Sequence, residues 1–427
     1  MIDFGNYVYD YIKEGQKYEL NKIKKMLQLL RNPQNKFKSV HITGTNGKGS
    51  TATYIEYILH NAGFKVGKFT SPHLVSYNER IRLDLEEISK EDFHNILPEI
   101  EKASKIIEEE FGDKPSFFEM VTAISFYYFA QKKVDWAVVE VGLGGRLDAT
   151  NTLEKSIAVV TNIDKDHCGI LGNELKDIAK EKIAITKKDC HIISSEKRPE
   201  LKKLFRDYAK EMNSEIFINN KEFSTKIVSK AYDNIVFDYS GENKFKSLKL
   251  NMPGEHQVEN AANAVKVAEI IKIDEKYIKQ GLEQAFFPGR LEIISKKPFV
   301  MMDGAHNRAG LNTLCVYLEN YFENKEIVFL SSILRDKNAD LFYRKLSKYS
   351  KEIVLTHIDN KRMMDIKKMQ RIAKKYFKTV FVFENSEKAL EYIYNKNLNS
   401  SKNIIITGSL YLIGELKSSS IYKKIKK

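Results

Sequence analysis

The sequence has few cysteines and no long apolar segment. Its three cysteines, Cys168, Cys190 and Cys315, are scattered and show no CxxC spacing, which argues against a disulfide framework and a thiolate zinc site. No stretch approaches the roughly 20 apolar residues that a membrane-spanning helix needs. The first fifteen residues are acidic and aromatic and lack a basic segment leading into an apolar one, so we expect no signal peptide. Together these absences predict a cytoplasmic protein without membrane association.

The net charge of +13 indicates partners that carry negative charge, which include nucleic acids and small polyanions. The basic residues are spread along the chain and form neither a basic arm nor an aromatic RNA-binding signature. We therefore favour small anionic ligands and expect no nucleic acid.

The apolar pattern predicts an α/β fold. Segments such as VHIT, VDWAVVEVG and SIAVVTNID alternate with helical segments, and their continuous apolar runs are typical of strands covered on both faces of a doubly wound parallel sheet. Four short pieces between residues 214 and 252 (IFINN, KIVSK, NIVFDYS and SLKLNM) predict a small antiparallel addition. A helix over about 258–272 is expected to follow.

A second, smaller α/β alternation starts at FVMMDGAHN and predicts a Rossmann-like domain. A chain of 427 residues exceeds what one hydrophobic core usually fills. The turn residues Pro288 and Gly289 separate the two alternations. We therefore predict one domain over 1–288 and another over 289–427.

The segment SVHITGTNGKGSTAT, residues 39–53, indicates a phosphate-binding loop between a strand and a helix. Its glycines, Gly44, Gly47 and Gly49, allow the backbone to approach a phosphate closely. The helix that follows directs N–H groups and its positive dipole end toward the same place. The alternative is a plain glycine-rich turn, but the flanking strand and helix favour phosphate binding.

The side chains of this loop also suit a nucleotide, although the spacing is unusual. Lys48 would reach the outer phosphates, and Ser50 could bind magnesium. The loop departs from the Walker pattern G-x-x-x-x-G-K-[ST] because Ile42 stands at the first glycine and Gly49 separates the lysine from the serine. A nucleotide enzyme outside the kinase and GTPase pattern is therefore indicated.

An acidic residue, Glu140, ends the apolar run WAVVE and is followed by glycines. The carboxyl ends of parallel strands face the crevice where α/β sheets bind ligands, so Glu140 is a candidate magnesium ligand. The alternative is an ion pair with an arginine such as Arg146.

Two further residues follow the next strand. His167, in NIDKDHCGILG, is either a metal ligand or a loop histidine. Lys182 lies at the margin of the apolar face of a predicted helix, where a lysine extending its amine to solvent is the simplest interpretation.

Polar residues also flank the predicted domain boundary. Each could belong to a capped turn beside a helix, but together they place polar groups on both sides of a cleft between domains, where ligands commonly bind. They are His256, Asn260, Arg290, Asp303, His306 and Asn307.

The assembled motifs resemble the folylpolyglutamate synthase/dihydrofolate synthase family, a branch of the Mur ligase superfamily. The ordered set covers residues 43 to about 307, with one more motif near the C-terminus. It comprises GTNGKGS, TSPHL with NERIR, SFFE, EVGLGGRLDATN, DH…LG…IAKEK, HQVENAANA, PGRLE, DGAHN and GSLYLIGE. One departure is KEKIAI, which stands where the family usually has an alanine-glycine pair after the lysine.

The resemblance implies an N-terminal Mur-ligase-type ATP-binding domain of the P-loop kind and a smaller C-terminal glutamate-ligase domain that closes over the substrate. It implies that Lys48, Lys182 and His167 act in catalysis and that Lys182 is carbamylated. The implied ATP contacts are Gly44, Thr45, Asn46, Gly47, Lys48, Gly49, Ser50, Asn260, Arg290, Asp303 and His306. Ser50, Ser71, Glu140 and His167 are the implied magnesium ligands. Ser116, Phe117, Phe118, Glu119, Leu147, Asp148 and Ala149 would line a pterin site.

The reaction implied by the resemblance is ATP-dependent addition of L-glutamate to dihydropteroate or to reduced folates through an acyl phosphate, as part of one-carbon metabolism. It implies ATP, one or two magnesium ions, a monovalent cation such as K⁺, and a monomer whose partners are small molecules. Three alternatives remain open from the residues: a kinase, a nucleic-acid-stimulated NTPase, and a Mur ligase acting on a nucleotide-sugar peptide. SFFE and GRLDATN favour folate over the last of these.

Overall fold

The computed structural model describes residues 4–9, 11, 19–323, 325–400 and 402–426. These residues form two compact units. The first comprises the described parts of 1–228, 236–250 and 257–285, and the second those of 229–235, 251–256 and 286–427. The functional boundary between residues 288 and 289 stays a prediction.

The first unit is built on a twisted sheet that is parallel except at one edge. In the described residues the strand order is β4-β3-β2-β5-β1-β6-β7-β8, with antiparallel pairing only among β2, β3 and β4. Sequence reasoning missed the two edge strands β3 and β4. The strands are β1 (Lys38–Thr43), β2 (Val66–Phe69), β3 (Ile81–Leu83), β4 (Glu86–Glu87), β5 (Trp136–Glu140), β6 (Ser156–Val160), β7 (His191–Ser194) and β8 (Glu215–Ile218).

Helices accompany this sheet, as the alternating pattern predicts. The continuous apolar run of β5 is fully buried, as expected for a strand covered on both faces. The helices of the unit are α1 (Phe4–Tyr9), α2 (Asn21–Leu29), α3 (Lys48–Asn61), α4 (Lys90–Phe111), α5 (Phe117–Gln131), α6 (Cys168–Leu171), α7 (Leu175–Ile183), α8 (Pro199–Glu211), α9 (His256–Ile271) and α10 (Glu275–Gln284).

The predicted antiparallel addition is smaller than expected. Its sheet has the order β11-β10-β9, with β9 at Ser224–Lys230, β10 at Ile235–Ser240 and β11 at Lys244–Leu250. The connections between these strands are too short for a parallel crossover, so the strands are antiparallel. The assignment of IFINN to this addition is wrong, because β8 pairs parallel with β7 in the large sheet. The intervening α8 makes β7-α8-β8 one crossover unit.

The second unit has its own sheet, with the order β12-β13-β17-β14-β15-β16. Among the described residues, all neighbouring strands of this sheet pair parallel except β12 with β13. The strands are β12 (Glu292–Lys296), β13 (Phe299–Asp303), β14 (Ile327–Ser331), β15 (Glu352–Thr356), β16 (Thr379–Phe383) and β17 (Asn403–Thr407). The helices are α11 (Arg308–Phe322), α12 (Ala339–Leu346), α13 (Ile366–Ala373), α14 (Ser386–Asn397), α15 (Leu410–Ser418) and α16 (Ser420–Lys426).

Both units confirm the predicted α/β fold class. In the first, the carboxyl ends of β1, β5 and β6 lie side by side, so the loops that follow these strands meet at one edge of the sheet. None of the described helices is both long and apolar enough to cross a membrane.

Candidate active site

The loop between β1 and α3 adopts a shape that needs glycine at two positions. Gly44 and Gly47 have φ angles of 145° and 83°, in the region that side chains rarely adopt. A Cβ atom on Gly44 would lie 1.8 Å from Oγ1 of Thr161, and one on Gly47 would lie 2.3 Å from Oδ1 of Asn260. The glycines therefore allow the backbone to pass close to its neighbours before the helix begins at Lys48.

An asparagine far away in the sequence holds the loop in this shape. The Thr45 N–H donates to the Asn162 carbonyl at 2.8 Å, and the Asn46 N–H donates to Asn162 Oδ1 at 3.0 Å. Sequence reasoning missed Asn162. A usable signal exists in TNID, because Asn162 directly follows β6, a neighbour of β1 in the sheet.

Two lysines converge on the same backbone carbonyl of the loop. Lys48 Nζ donates to Gly44 O at 3.1 Å, and Lys182 Nζ donates to it at 2.9 Å. Lys48 Nζ also lies 4.0 Å from Oε1 of Glu140. These contacts bring three predicted site residues together at the carboxyl edge of the sheet.

The simplest interpretation of the sequence extended the amine of Lys182 to solvent, but the structure buries this residue. Only 5% of the residue is exposed, and its amine turns inward to the loop. Burial, together with the positive charge of Lys48, lowers the pKa of Lys182 to about 7. A large fraction of its amine is therefore neutral near physiological pH.

Other contacts connect α9 and β5 with the loop. Gln257 Nε2 lies 3.4 Å from Ser50 Oγ, and Asn260 Nδ2 donates to Gln257 Oε1 at 3.0 Å. The Ser71 N–H donates to Oε2 of Glu140 at 3.1 Å. Asn260, Ser50, Ser71 and Glu140 therefore lie around the loop as predicted, and Gln257 is an additional neighbour that the sequence motif HQVENAANA contains.

The oxygen atoms at this edge suit magnesium. No group of three or more Asp, Glu, His or Cys side chains in the part of the chain that the structure describes could by itself hold a metal ion. Magnesium does not require one, because it commonly keeps several waters and binds one or two carboxylates together with substrate phosphates. The buried carboxylate of Glu140 and the hydroxyls of Ser50 and Ser71 are hard oxygen donors of this kind. They remain the predicted ligands.

The alternative role for Glu140 is not supported. Arg146 pairs with Glu181, with 2.9 Å between Nε and Oε1. His167 lies in the loop after β6 with 52% of its side chain exposed, 3.9 Å from Asp166 Oδ1. Its role as a metal ligand stays a prediction.

A cavity of about 300 Å³ opens beside these residues, in the same unit. Most of the predicted pterin-site residues line this cavity, together with Ser71. Phe117 does not line it; its ring lies 5.1 Å from the guanidinium carbon of Arg80. The lining residues are Glu19, Ser71, Pro72, Arg80, Ser116, Phe118, Glu119, Gly142, Leu143, Leu147, Asp148 and Ala149.

Local hydrogen bonds shape the walls of this cavity. Ser116 and Glu119 form a capping box at the start of α5, in which each side chain accepts from the other residue's backbone N–H. Arg80 donates to His73 Nδ1 at 3.0 Å. Sequence reasoning quoted NERIR as a motif but assigned no role to Arg80, because a pattern alone does not show that the 3₁₀ turn before β3, Tyr77–Arg80, carries the arginine into the cavity wall.

The second unit places Arg290 on a tight turn. Gly289 and Leu291, on either side of it, have φ angles of 70° and 48°. The Leu291 N–H donates to Asp303 Oδ2 at 3.0 Å, and the Ala305 N–H donates to Asp303 Oδ1 at 3.0 Å. Asp303 thus uses both carboxylate oxygens to hold the backbone around Arg290.

Another predicted residue of this unit also contacts backbone. His306 Nδ1 lies 2.8 Å from the carbonyl oxygen of Gly304. Gly304 is close to Arg290 too, since a Cβ atom at this glycine would lie 3.3 Å from the arginine Nη1. Arg290, Asp303 and His306 therefore form one cluster within the second unit, and their contact with ATP stays a prediction.

Family models match both parts of the chain. Residues 42–268 match the Mur ligase middle domain, and residues 290–419 match the dihydrofolate synthetase C-terminal domain. The chain is 31% identical to the dihydrofolate synthase/folylpolyglutamate synthase of Bacillus subtilis over 97% of its own length and 98% of the relative's.

Solved structures agree with these matches. Folylpolyglutamate synthase from Thermotoga maritima superposes with a TM-score of 0.86 at 38% identity, over 96% of this chain and 94% of that one. FolC of Escherichia coli, in complex with DHPP and ADP, superposes with a TM-score of 0.87 at 25% identity, over 98% and 97%. The glycine loop, the two lysines and the cavity are thus found in a chain that belongs to the dihydrofolate synthase/folylpolyglutamate synthase family of Mur ligases.

Proposed function

We propose that this chain is an ATP-dependent ligase that adds L-glutamate both to dihydropteroate and to reduced folates, including tetrahydrofolate polyglutamates, and releases ADP and phosphate. One observation carries the proposal. Ser71 lines the 300 Å³ cavity and also donates its N–H to Glu140, which lies 4.0 Å from the amine of Lys48. A substrate in the cavity therefore lies next to the loop that suits a nucleotide phosphate. The E. coli structure with DHPP and ADP supports the same pairing of ligands.

The chemistry requires a carboxylate to be activated before an amine can attack it. The substrate carboxylate attacks the γ-phosphate of ATP and forms an acyl phosphate, and the glutamate amine then displaces phosphate through a tetrahedral intermediate. Two anions must meet in the first step, so positive charge near the phosphate stabilises its transition state. Lys48, at the start of α3, supplies such a charge together with the N–H groups of the helix N-terminus.

Magnesium fits beside this lysine. When bound, it would neutralise part of the negative charge on the phosphate oxygens. We infer that Ser50, Ser71 and Glu140 hold it, and that His167 contributes to a second ion.

Lys182 is proposed to carry a carbamate. Its neutral amine attacks carbon dioxide, a C–N bond forms, and one proton is released to solvent. The product is a carboxylate, so the charge of this buried side chain changes from positive to negative. This carboxylate would lie beside the loop and the amine of Lys48, where it could orient a metal ion.

The second unit is proposed to complete the reaction. Arg290 would bind the phosphate through its guanidinium group, and Asp303 and His306 would hold the turn that carries it while contacting ATP. Asn260, with Thr45 and Asn46, would contact ATP from the first unit. Closure of the two domains would exclude water, which otherwise hydrolyses an acyl phosphate.

The proposal includes four further expectations, each of which needs its own measurement. They are a requirement for a monovalent cation such as K⁺, a monomeric state, a cytoplasmic location and independence from nucleic acid. A nucleic-acid-stimulated NTPase would instead show faster ATP hydrolysis when DNA or RNA is added.

The direct experiment measures phosphate release by the purified protein with ATP, magnesium, glutamate and either dihydropteroate or tetrahydrofolate. We expect release that depends on glutamate with both acceptors, and a product heavier by one glutamate. Release with tetrahydrofolate alone would restrict the enzyme to folylpolyglutamate synthesis. Phosphoryl transfer without free phosphate would indicate a kinase, and no release with either acceptor would contradict the proposal.

A further inference from the structure

A fully buried histidine lies inside the large sheet, behind the cavity. His41 belongs to β1, between β5 and β6. Its Nε2 lies 2.8 Å from Oγ1 of Thr150, and its Nδ1 has no hydrogen-bond partner among the described residues. Burial lowers the pKa of His41 to about 3, with a smaller contribution from the charge of Lys187. The imidazole is therefore neutral, with a single N–H to donate.

The histidine is the first member of a hydrogen-bonded chain. Oγ1 of Thr150 also contacts Oδ1 of Asp148. A hydroxyl has one proton, and an ionised carboxylate only accepts. Thr150 must therefore donate to Asp148 and accept from Nε2–H of His41, which determines the tautomer of the histidine and leaves the unpartnered Nδ1 without a proton.

Asp148 is held from both sides by this arrangement. Its Oδ1 accepts from the Thr150 N–H at 3.0 Å as well as from the hydroxyl, and its Oδ2 accepts from the Leu143 N–H at 2.9 Å. Burial raises the pKa of Asp148, and these hydrogen bonds offset part of that effect. The same residue lines the 300 Å³ cavity. The chain thus leads from the interior of the sheet to a carboxylate on a ligand-sized pocket.

We propose that His41 and Thr150 are positioning residues that fix Asp148 and, through it, the turn over residues 142–149 that lines the pterin site. The inference rests on the proposed function, because it takes the cavity to be the pterin site. The carboxylate of Asp148 already accepts from the Thr150 hydroxyl and from the N–H groups of Thr150 and Leu143, so it holds the backbone of the cavity wall in one shape. His41 prevents the Thr150 hydroxyl from rotating away from Asp148, so the carboxylate keeps one orientation before the substrate arrives.

Three variants test this chain by steady-state kinetics and by direct binding of dihydropteroate in titration calorimetry. Thr150→Val removes the donor to Asp148 with little change of shape, and His41→Ala removes the donor to Thr150. We expect KM and Kd for dihydropteroate to rise about tenfold in both, which is the effect of one hydrogen bond to a charged group. KM for ATP and kcat at saturating pterin should stay within about twofold. His41→Gln should recover part of the affinity, because its amide N–H can donate to Thr150.

The matched control is Thr122→Val. Thr122 is a buried threonine of α5 whose Oγ1 has no hydrogen-bond partner in the described part of the chain. It should lose no pterin affinity. Unchanged pterin Kd in folded Thr150→Val, or equal losses of pterin and ATP affinity in both chain variants, would overturn the positioning role. A wild-type protein without pterin-dependent phosphate release would instead contradict the proposed function itself, so the two failures are distinguishable.

Discussion

Two segments of irregular backbone each present a cation, and they are stabilised in different ways. In the loop at residues 44–47, the N–H groups of Thr45 and Asn46 donate to neutral acceptors, namely the carbonyl and amide oxygens of Asn162. The turn that carries Arg290 is held by two buried carboxylates. Asp303 accepts from the Leu291 N–H at 3.0 Å, and Glu292 accepts from the Gly289 N–H at 2.8 Å.

The difference follows from the residues available to each segment. The loop has glycine at both of its positions with positive φ, so it needs little help to keep its shape. The turn has a leucine, Leu291, at a φ of 48°, a conformation that costs on the order of 1–3 kcal/mol in a non-glycine residue. Strong acceptors such as Asp303 offset this cost. An acidic residue beside a cation can therefore serve the backbone rather than a ligand.

The largest effect is expected when the cation of the loop is removed. Lys48→Ala should reduce kcat by at least about 10³-fold, because its charge stabilises the phosphate more strongly in the transition state than in bound ATP. Thermal unfolding should be nearly unchanged. Lys36→Ala, an exposed lysine just before the amino end of β1, is the matched control and should keep full activity. Near-normal turnover of the Lys48 variant would contradict the assignment of residues 44–50 as a phosphate-binding loop.

A smaller but still large effect is expected for the cation of the turn. Arg290→Ala should reduce kcat by roughly 10²- to 10³-fold, the range seen when one preorganised donor is lost. Arg344→Ala is the matched control: it removes an exposed arginine of α12 in the same unit and should leave kcat unchanged. Unchanged kinetics of the Arg290 variant would show that only the loop, and not the turn, serves the reaction.

The third prediction concerns the lysine behind the loop. Lys182→Ala should lose about 10²-fold in kcat, because the variant lacks the carboxylate that carbamylation would provide. Added formate or acetate should restore part of the activity. Lys180→Ala, an exposed lysine on the same helix, should be active with or without these anions. Full activity of the Lys182 variant would leave the buried amine with a structural role only.

The smallest effect on turnover, less than about tenfold, is expected from weakening the support of the turn. Lys417 Nζ lies 2.8 Å from Oε1 of Glu292, and both side chains are largely buried. Lys417→Met should lower the free energy of unfolding of the second unit by about 3 kcal/mol, the usual cost of leaving a buried charge unpaired. Chemical denaturation measures this loss.

The matched control for that variant is Lys402→Met. It removes a pair with Glu352 that is partly exposed, and Glu352 keeps a second pair with Lys396. Its cost should stay below about 1 kcal/mol. Equal losses of unfolding free energy in the two variants would contradict this prediction. They would mean that Glu292 depends on its partner lysine no more than the partly exposed Glu352 does.

The sequence was sufficient for the glycine loop between a strand and a helix and for most strands, because glycine spacing and apolar runs are local signals. It could not separate IFINN from the antiparallel addition, since a short strand looks alike in either sheet. It also missed Asn162 and Arg80, and its simplest interpretation of Lys182, at the margin of an apolar helix face, extended the amine to solvent. Asn162 and Lys182 contact the loop across 116 and 138 residues of the sequence. The place of Arg80 in the cavity wall is likewise not shown by any local pattern.

The role of Asp303 illustrates the same limit. The motif DGAHN indicates a polar residue at a strand end, and that much is local. Whether its oxygens face a nucleotide or the backbone depends on how β12 and β13 are paired, which no spacing rule specifies.

The central claim is that the substrate carboxylate is phosphorylated before the amide forms. It is tested most directly with an acceptor whose carboxylate carries ¹⁸O at both oxygens, incubated with the protein, ATP and glutamate. The account predicts one ¹⁸O in each phosphate released during amide formation, because the acyl-phosphate oxygen leaves with the phosphorus. Phosphate without ¹⁸O, released in step with amide product, would contradict it.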